Sequence, residues 1–211
     1  MKYVNEISLD TKTPLMFSYR RCPYAMRARM AMISSGIDFE VYEISFRNKP
    51  QEMIEISPKG TVPVLKIGNK VIDESLDIMM WAYANGSSSH YPNFNQEIMD
   101  TRLDLIHKND HEFKSHLDQY KYFTNHPSKS KDELGNACLF FLEILEGALN
   151  QSRYLLSEKA SFVDIAIFPF IRQFSRVDMD FFASLQFGRV QEWLSDLTSS
   201  ELFMNAMIKP R

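Results

Sequence analysis

Only two cysteines, Cys22 and Cys138, occur in 211 residues. That is too few for a disulfide framework, and a reducing compartment keeps both as thiols, so each is judged separately. No apolar stretch approaches the roughly 18 to 20 residues that cross a bilayer. The opening Met1-Lys2-Tyr3-Val4-Asn5-Glu6 lacks the apolar core of a signal peptide. The expectation is a cytoplasmic protein with no membrane partner. A net charge of -3, with acids and bases interspersed, leaves no basic stripe to neutralise phosphates, which argues against nucleic acid as a partner. Internal repeats and low-complexity tracts are also missing.

What is present is a globular composition, 45% apolar and 24% charged, enough for one large domain or two modest ones. From Leu15 to about Ala84 short β-rich runs alternate with helix-like ones, whereas beyond Asn95 every pattern has helical spacing. The polar stretch Asn85-Gly86-Ser87-Ser88-Ser89-His90-Tyr91-Pro92-Asn93 between them suits a linker. The expected division is 13–84, an α/β domain, then 85–94, a linker, and 95–211, an all-helical domain.

In the first part, Leu15 to Tyr19 reads as a buried strand, Ala25 to Ser35 as a helix stopped by Gly36, and Phe39 to Ile44 as a second strand. Gln51 to Ile56 fits a short helix behind Pro50. Val62 to Ile67 and Lys70 to Ile72, separated by Gly68-Asn69, read as a hairpin. A helix from Ser75 to Tyr83 follows. The first strand, helix and strand form a right-handed crossover with parallel strands. In the second part, Gln96–Tyr122, Lys131–Gln151, Phe162–Phe174 and Gln186–Leu197 each place apolar residues on one helical face, which predicts an antiparallel bundle. Ser161-Phe162-Val163-Asp164 reads as a helix-capping box.

Three places carry chemical signals. Cys22 follows a strand and precedes a helix, with Pro23 in the first turn. Unpaired N–H groups and the helix dipole there favour a thiolate, and a thiol so placed is a nucleophile near neutral pH. Arg20, Arg21, Arg27 and Arg29 add positive charge nearby. Val62-Pro63 opens a strand where proline cannot donate a ladder bond, and a cis bond would explain it. Asp73-Glu74-Ser75 ends a strand and opens a helix, so Ser75 can cap while backbone N–H groups face a carboxylate. Cys138, on the apolar side of a helix with no basic neighbours, reads as core. His107 and His111 are spaced i, i+4 with Asp110, Glu112 and His116 nearby. The metalloprotease pattern needs Glu where Lys108 sits, and a solvated helix face accounts for them, so no metal is expected. Phe140, Phe141, Phe168, Phe170, Phe174, Phe181 and Phe182 crowd the second half as core, with some available to line an electrophile pocket.

Taken together, Phe17-Ser18-Tyr19-Arg20-Arg21-Cys22-Pro23-Tyr24, Lys49-Pro50, Ser57-Pro58-Lys59-Gly60-Thr61-Val62-Pro63-Val64-Leu65 and Asp73-Glu74-Ser75 resemble the amino-terminal domain of the glutathione transferase superfamily. The rest of the chain resembles its helical domain. The implied fold is a thioredoxin-like α/β domain followed by an all-α domain. A cysteine where many members use serine or tyrosine is similar to omega-class transferases and the two-domain glutaredoxin of bacteria, which implies thiol exchange or dehydroascorbate reduction. By that resemblance Cys22 forms a mixed disulfide with glutathione, the backbone of Val62 pairs with the cysteinyl part, and Glu74 and Ser75 hold the γ-glutamyl end. Lys49 meets the glycine carboxylate, Tyr24 packs beside the sulfur, and Pro63 is the cis-proline. The second substrate is a small electrophile or disulfide, and a homodimer is expected from relatives. Ala25 stands where a dithiol glutaredoxin has its second cysteine, so free glutathione resolves the intermediate. The competing reading is a non-enzymatic interaction protein of the stringent-starvation type, which shares the fold without needing the thiol.

Overall fold

The computed structural model describes residues 1–10, 12–87 and 96–210. It opens on a strand that the sequence pattern does not announce, β1 (Lys2–Val4), followed by β2 (Leu15–Ser18). All four residues of β2 are buried, as a central strand with both faces covered requires. Next come α1 (Pro23–Ser34) and β3 (Glu40–Glu43), then α2 (Gln51–Ile56), the hairpin β4 (Val64–Ile67) and β5 (Lys70–Ile72), and α3 (Ser75–Asn85). The sheet order is β1-β3-β2-β4-β5. β3 runs parallel to both β1 and β2, and β4 runs antiparallel to β2 and β5. The crossover and the hairpin thus form as the sequence predicts, and β1 is added at the edge beside β3.

α1 is buried almost all round, including Ala25, Met26, Ala28, Met30, Ala31 and Met32. Burying each methionine fully contributes about 1.5–3 kcal/mol. Gly36 ends the helix with φ +69°, donating to the Ile33 carbonyl at 3.0 Å, while Ile37 N–H reaches back to Met32 at 3.2 Å. This double closure needs a left-handed residue, which glycine adopts without a Cβ penalty. On one side of the sheet Leu15, Phe17, Ala25, Ile44, Met53, Val62 and Val64 form a continuous core. α3 begins at Ser75 with Glu74 in the cap position and makes no side-chain cap bond. The expected capping role of Ser75 is therefore corrected: its hydroxyl is engaged elsewhere.

The helices that follow are α4 (Gln96–Lys108), α5 (Lys114–Lys121), α6 (Lys131–Asn136), α7 (Leu139–Leu149), α8 (Phe162–Ser175), α9 (Met179–Ser184), α10 (Gly188–Ser199) and α11 (Glu201–Ala206). A π-helical turn, Asn109–Phe113, joins α4 to α5, so the single expected helix from Gln96 carries one widened turn. The expected helix from Lys131 breaks after Asn136, next to Gly135, a poor helix former. A Cβ on Gly135 would lie 3.0 Å from the ring of Phe181 and 3.1 Å from that of Tyr120, so close packing fixes the glycine. Phe141, Phe168, Phe170 and Phe174 are core.

The chain divides into two compact units: the residues up to 87 with those from Ser200 on, and residues 96 to Ser199. The last residues, expected with the helical half, count with the first unit, where α11 packs on α1. Of the expected linker, 85–94, the residues from 88 on lie outside the described residues. Among the described residues no helix is long and apolar enough to cross a membrane.

Candidate functional site

Cys22 occupies the N-cap of α1, in extended backbone with φ -72° and ψ 125°. Its N–H donates to the Tyr19 carbonyl at 2.9 Å and its carbonyl accepts from Met26 at 2.9 Å, so the residue is fixed from both sides while its side chain is half-buried. Pro23 follows, and no side chain caps the turn. The helix start places the positive end of its dipole beside the sulfur, which favours an anion there.

The register of β4 on β2 sets Val64 against Phe17, so Pro63 and Val62, just before it, run alongside the loop that enters Cys22. The Val62–Pro63 bond is cis. The Cys22 Sγ–H donates to the Val62 carbonyl at 3.8 Å, a bond available to the neutral thiol. Tyr24 lies on α1 with the Arg27 guanidinium 5.2 Å from its ring centre. Arg27 Nε also donates to Ser75 Oγ at 3.1 Å, joining the start of α1 to the start of α3 through a buried bond.

Around α3 the groups are charged. Ser75 is buried, whereas the Glu74 side chain is 67% exposed and pairs with Lys59 Nζ at 2.5 Å. Lys59 also meets Asp73 at 3.2 Å, and Asp73 accepts from Ser57 Oγ at 2.7 Å. The Ser57 and Lys59 bonds hold the Asp73 carboxyl below the usual carboxylate range, against a burial effect that is the largest single influence and acts upward. Lys49 is exposed, with Nζ 3.4 Å from where a Cβ on Gly60 would stand.

Of the expected residues, the fold thus brings Cys22, Val62 and Pro63 into one place and links Tyr24 to Ser75 and its neighbour Glu74 through Arg27, while Lys49 lies near Gly60. The four flanking arginines separate. Arg21 is exposed and donates to the Tyr19 hydroxyl at 2.6 Å, whereas Arg27 and Arg29 are buried. The sequence signals did not single out Lys59 as a partner of Glu74, nor did they tell which of the four arginines near Cys22 are buried. Cys138 is buried, and burial pushes its thiol up to about 12. The His107 and His111 rings lie 4.2 Å apart, and among the described residues no three or more His, Cys, Asp or Glu group to hold a metal.

Comparison with known proteins extends these observations. Residues 16–89 match the glutathione S-transferase N-terminal domain and residues 101–201 its C-terminal domain. The chain is 27% identical over 176 residues to glutathione S-transferase U28 of Arabidopsis thaliana, covering 81% of this chain and 78% of that protein. It is 43% identical over 51 residues, 24% of this chain and 21% of the other, to glutathione S-transferase omega-1 of Mus musculus. In fold it is similar to a glutathione transferase from Pseudomonas putida solved with one glutathione disulfide bound per subunit. The TM-score is 0.81 at 18% identity, over 95% of this chain and 93% of that one. With both domain matches in chain order on an α/β unit and a helical unit, the chain belongs to the glutathione transferase superfamily.

Proposed function

We propose that this protein is a glutathione-dependent thiol transferase with Cys22 as its nucleophile. The observation that carries the reading is the pair of uncapped helix starts. Neither Cys22, the N-cap of α1, nor Glu74, the N-cap of α3, makes a side-chain cap bond. A helix N-terminus without a side-chain acceptor offers its N–H groups to an external or neighbouring anion. One such anion is the Cys22 thiolate and the other the carboxylate at the γ-glutamyl end of glutathione.

The remaining groups suit the same ligand. Glu74 is open to solvent and already pairs with an ammonium, that of Lys59, so the α-amino group of the γ-glutamyl residue of glutathione takes the same kind of contact. The Val62 backbone, 3.8 Å from the sulfur, pairs with the cysteinyl part, Ser75 receives the γ-glutamyl carboxylate, Lys49 meets the glycine carboxylate, and Tyr24 and Pro63 flank the sulfur. The glutathione-binding part is residues 13–84 within the first unit.

In the proposed cycle the Cys22 thiolate attacks the glutathione sulfur of a glutathionylated substrate. The old S–S bond breaks, the substrate leaves as a thiolate that takes up a proton, and Cys22 keeps the glutathione as a mixed disulfide. A second glutathione thiolate attacks that disulfide, releasing oxidised glutathione and the Cys22 thiolate. Ala25 offers no second thiol, so the external glutathione is required. Turnover of a glutathionylated peptide by wild type and Cys22→Ser tests this: activity abolished in the variant is expected, and activity retained within twofold overturns the reading.

A further inference from the structure

A buried guanidinium, noted above only as one of four positive charges near Cys22, lies beneath the candidate site. Arg29, about two helical turns beyond Cys22, is 0% exposed. Its Nη1 donates to Ser18 Oγ at 2.5 Å, its Nη2 to the Arg20 carbonyl at 2.8 Å, and its Nε to the Ala206 carbonyl at 3.0 Å. Met207 Sδ lies 3.8 Å from Nη2. Ser18 and Arg20 bracket the approach to Cys22. The Arg20 N–H is held from the other side by Glu43 Oε1 at 2.7 Å. Ala206 closes α11, whose last carbonyls have no partner within the helix.

The three acceptors are neutral, so these bonds position the guanidinium without neutralising it. The charged and titratable groups that act on Arg29 are Tyr3 from β1, Glu43 from β3, Arg20 from the loop and Cys22 itself. Burial pushes the carboxyl of Glu43 up, which weakens it as a counter-charge. A guanidinium stays protonated even when burial lowers its pKa, as here. A fixed buried positive charge favours an anion among its neighbours.

We propose that Arg29 is the positioning residue of the nucleophile: it fastens the loop from Ser18 to Cys22 to the chain's own C-terminal helix and holds the sulfur in its anionic form. The inference rests on Cys22 being the nucleophile. The fork geometry matters as well as the charge, because a lysine ammonium cannot serve three acceptors set around a plane in the same way.

The test is the rate of Cys22 alkylation by iodoacetamide against pH, read by intact mass, which needs neither glutathione nor turnover. Wild type is expected to show a midpoint below the roughly 8.5 of a free thiol. In Arg29→Met the midpoint is expected to rise by about one unit, with a rate about tenfold lower below both midpoints. Arg29→Lys, keeping the charge, is expected to move it less than half as far. Should the methionine variant lack a cooperative melt, Arg29→Gln, uncharged but still a donor, takes its place with the same expectation. A wild-type midpoint at the free-thiol value sinks the nucleophile reading and this inference with it. A depressed wild-type midpoint that the uncharged variants leave in place overturns the role of Arg29 alone.

Discussion

Replacing Asp164 by alanine removes one acceptor from four donors. Its carboxylate, 0% exposed, accepts from Leu155 N–H, Ser161 N–H, Ser161 Oγ–H and Trp193 Nε1–H, each at 2.8 Å. It thereby ties the start of α8 to the preceding turn and to α10. Ser161 is half-buried, so its groups can turn to water; the Leu155 and Trp193 bonds are buried and cannot. Two orphaned buried donors at about 1–3 kcal/mol each give roughly 2–6 kcal/mol. Burial pushes the Asp164 carboxyl above its ordinary 3.8, against the pull of these four bonds, so part of that loss is returned when the charge goes. A net loss of about 3 kcal/mol lowers Tm by roughly 6–12 °C for a chain of this length.

Calorimetry of wild type, Asp164→Ala and Asp164→Asn checks this. The asparagine keeps an acceptor for Leu155 and Trp193 and loses about half as much. The sign of the pH effect follows from the raised folded pKa: the carboxyl favours the folded state most below 3.8, and that advantage is lost as pH rises through the folded value. The margin of wild type over Asp164→Asn is therefore widest in acid and narrows toward neutrality. An alanine variant melting within about 2 °C of wild type refutes the reasoning.

Three further outcomes are expected. With a thiol reagent at pH 8 the native chain yields one reactive cysteine and the denatured chain two, because burial pushes Cys138 to about 12; two fast native thiols contradict that. Glu74→Ala is expected to raise KM for glutathione about tenfold or more, from loss of a charge-assisted bond, with kcat changed far less; an equal fall in kcat and kcat/KM contradicts a binding role. Lys59→Met, which breaks partly exposed pairs with Asp73 and Glu74, is expected to change stability by less than about 1 kcal/mol, and a larger loss in urea unfolding shows that the cluster is structural.

Much of this was legible because it is local. The strand before Cys22, Pro23 at the helix start, Gly36 at its end and the hairpin about Gly68-Asn69 each announce themselves within a few residues. β1 did not, since three residues at an edge carry no period to read. The π turn at Asn109–Phe113 and the break at Gly135-Asn136 are small departures inside patterns that remain helical on average. The burial of Arg29 was hidden for a different reason. The residue reads as one of four positive charges near Cys22 whose direction the sequence leaves open, and only the return of α11 to α1 shows that its charge is buried. Ser75 had the type and place of a cap; that Arg27 takes its hydroxyl depends on a residue 48 positions away.

The account stands most directly on the sulfur of Cys22, and intact mass after incubation with oxidised glutathione measures it. One glutathionyl adduct per chain on wild type, removed by reductant and missing from Cys22→Ser, is the expected result. No adduct on a folded wild-type chain, or an adduct that persists in Cys22→Ser, contradicts the account.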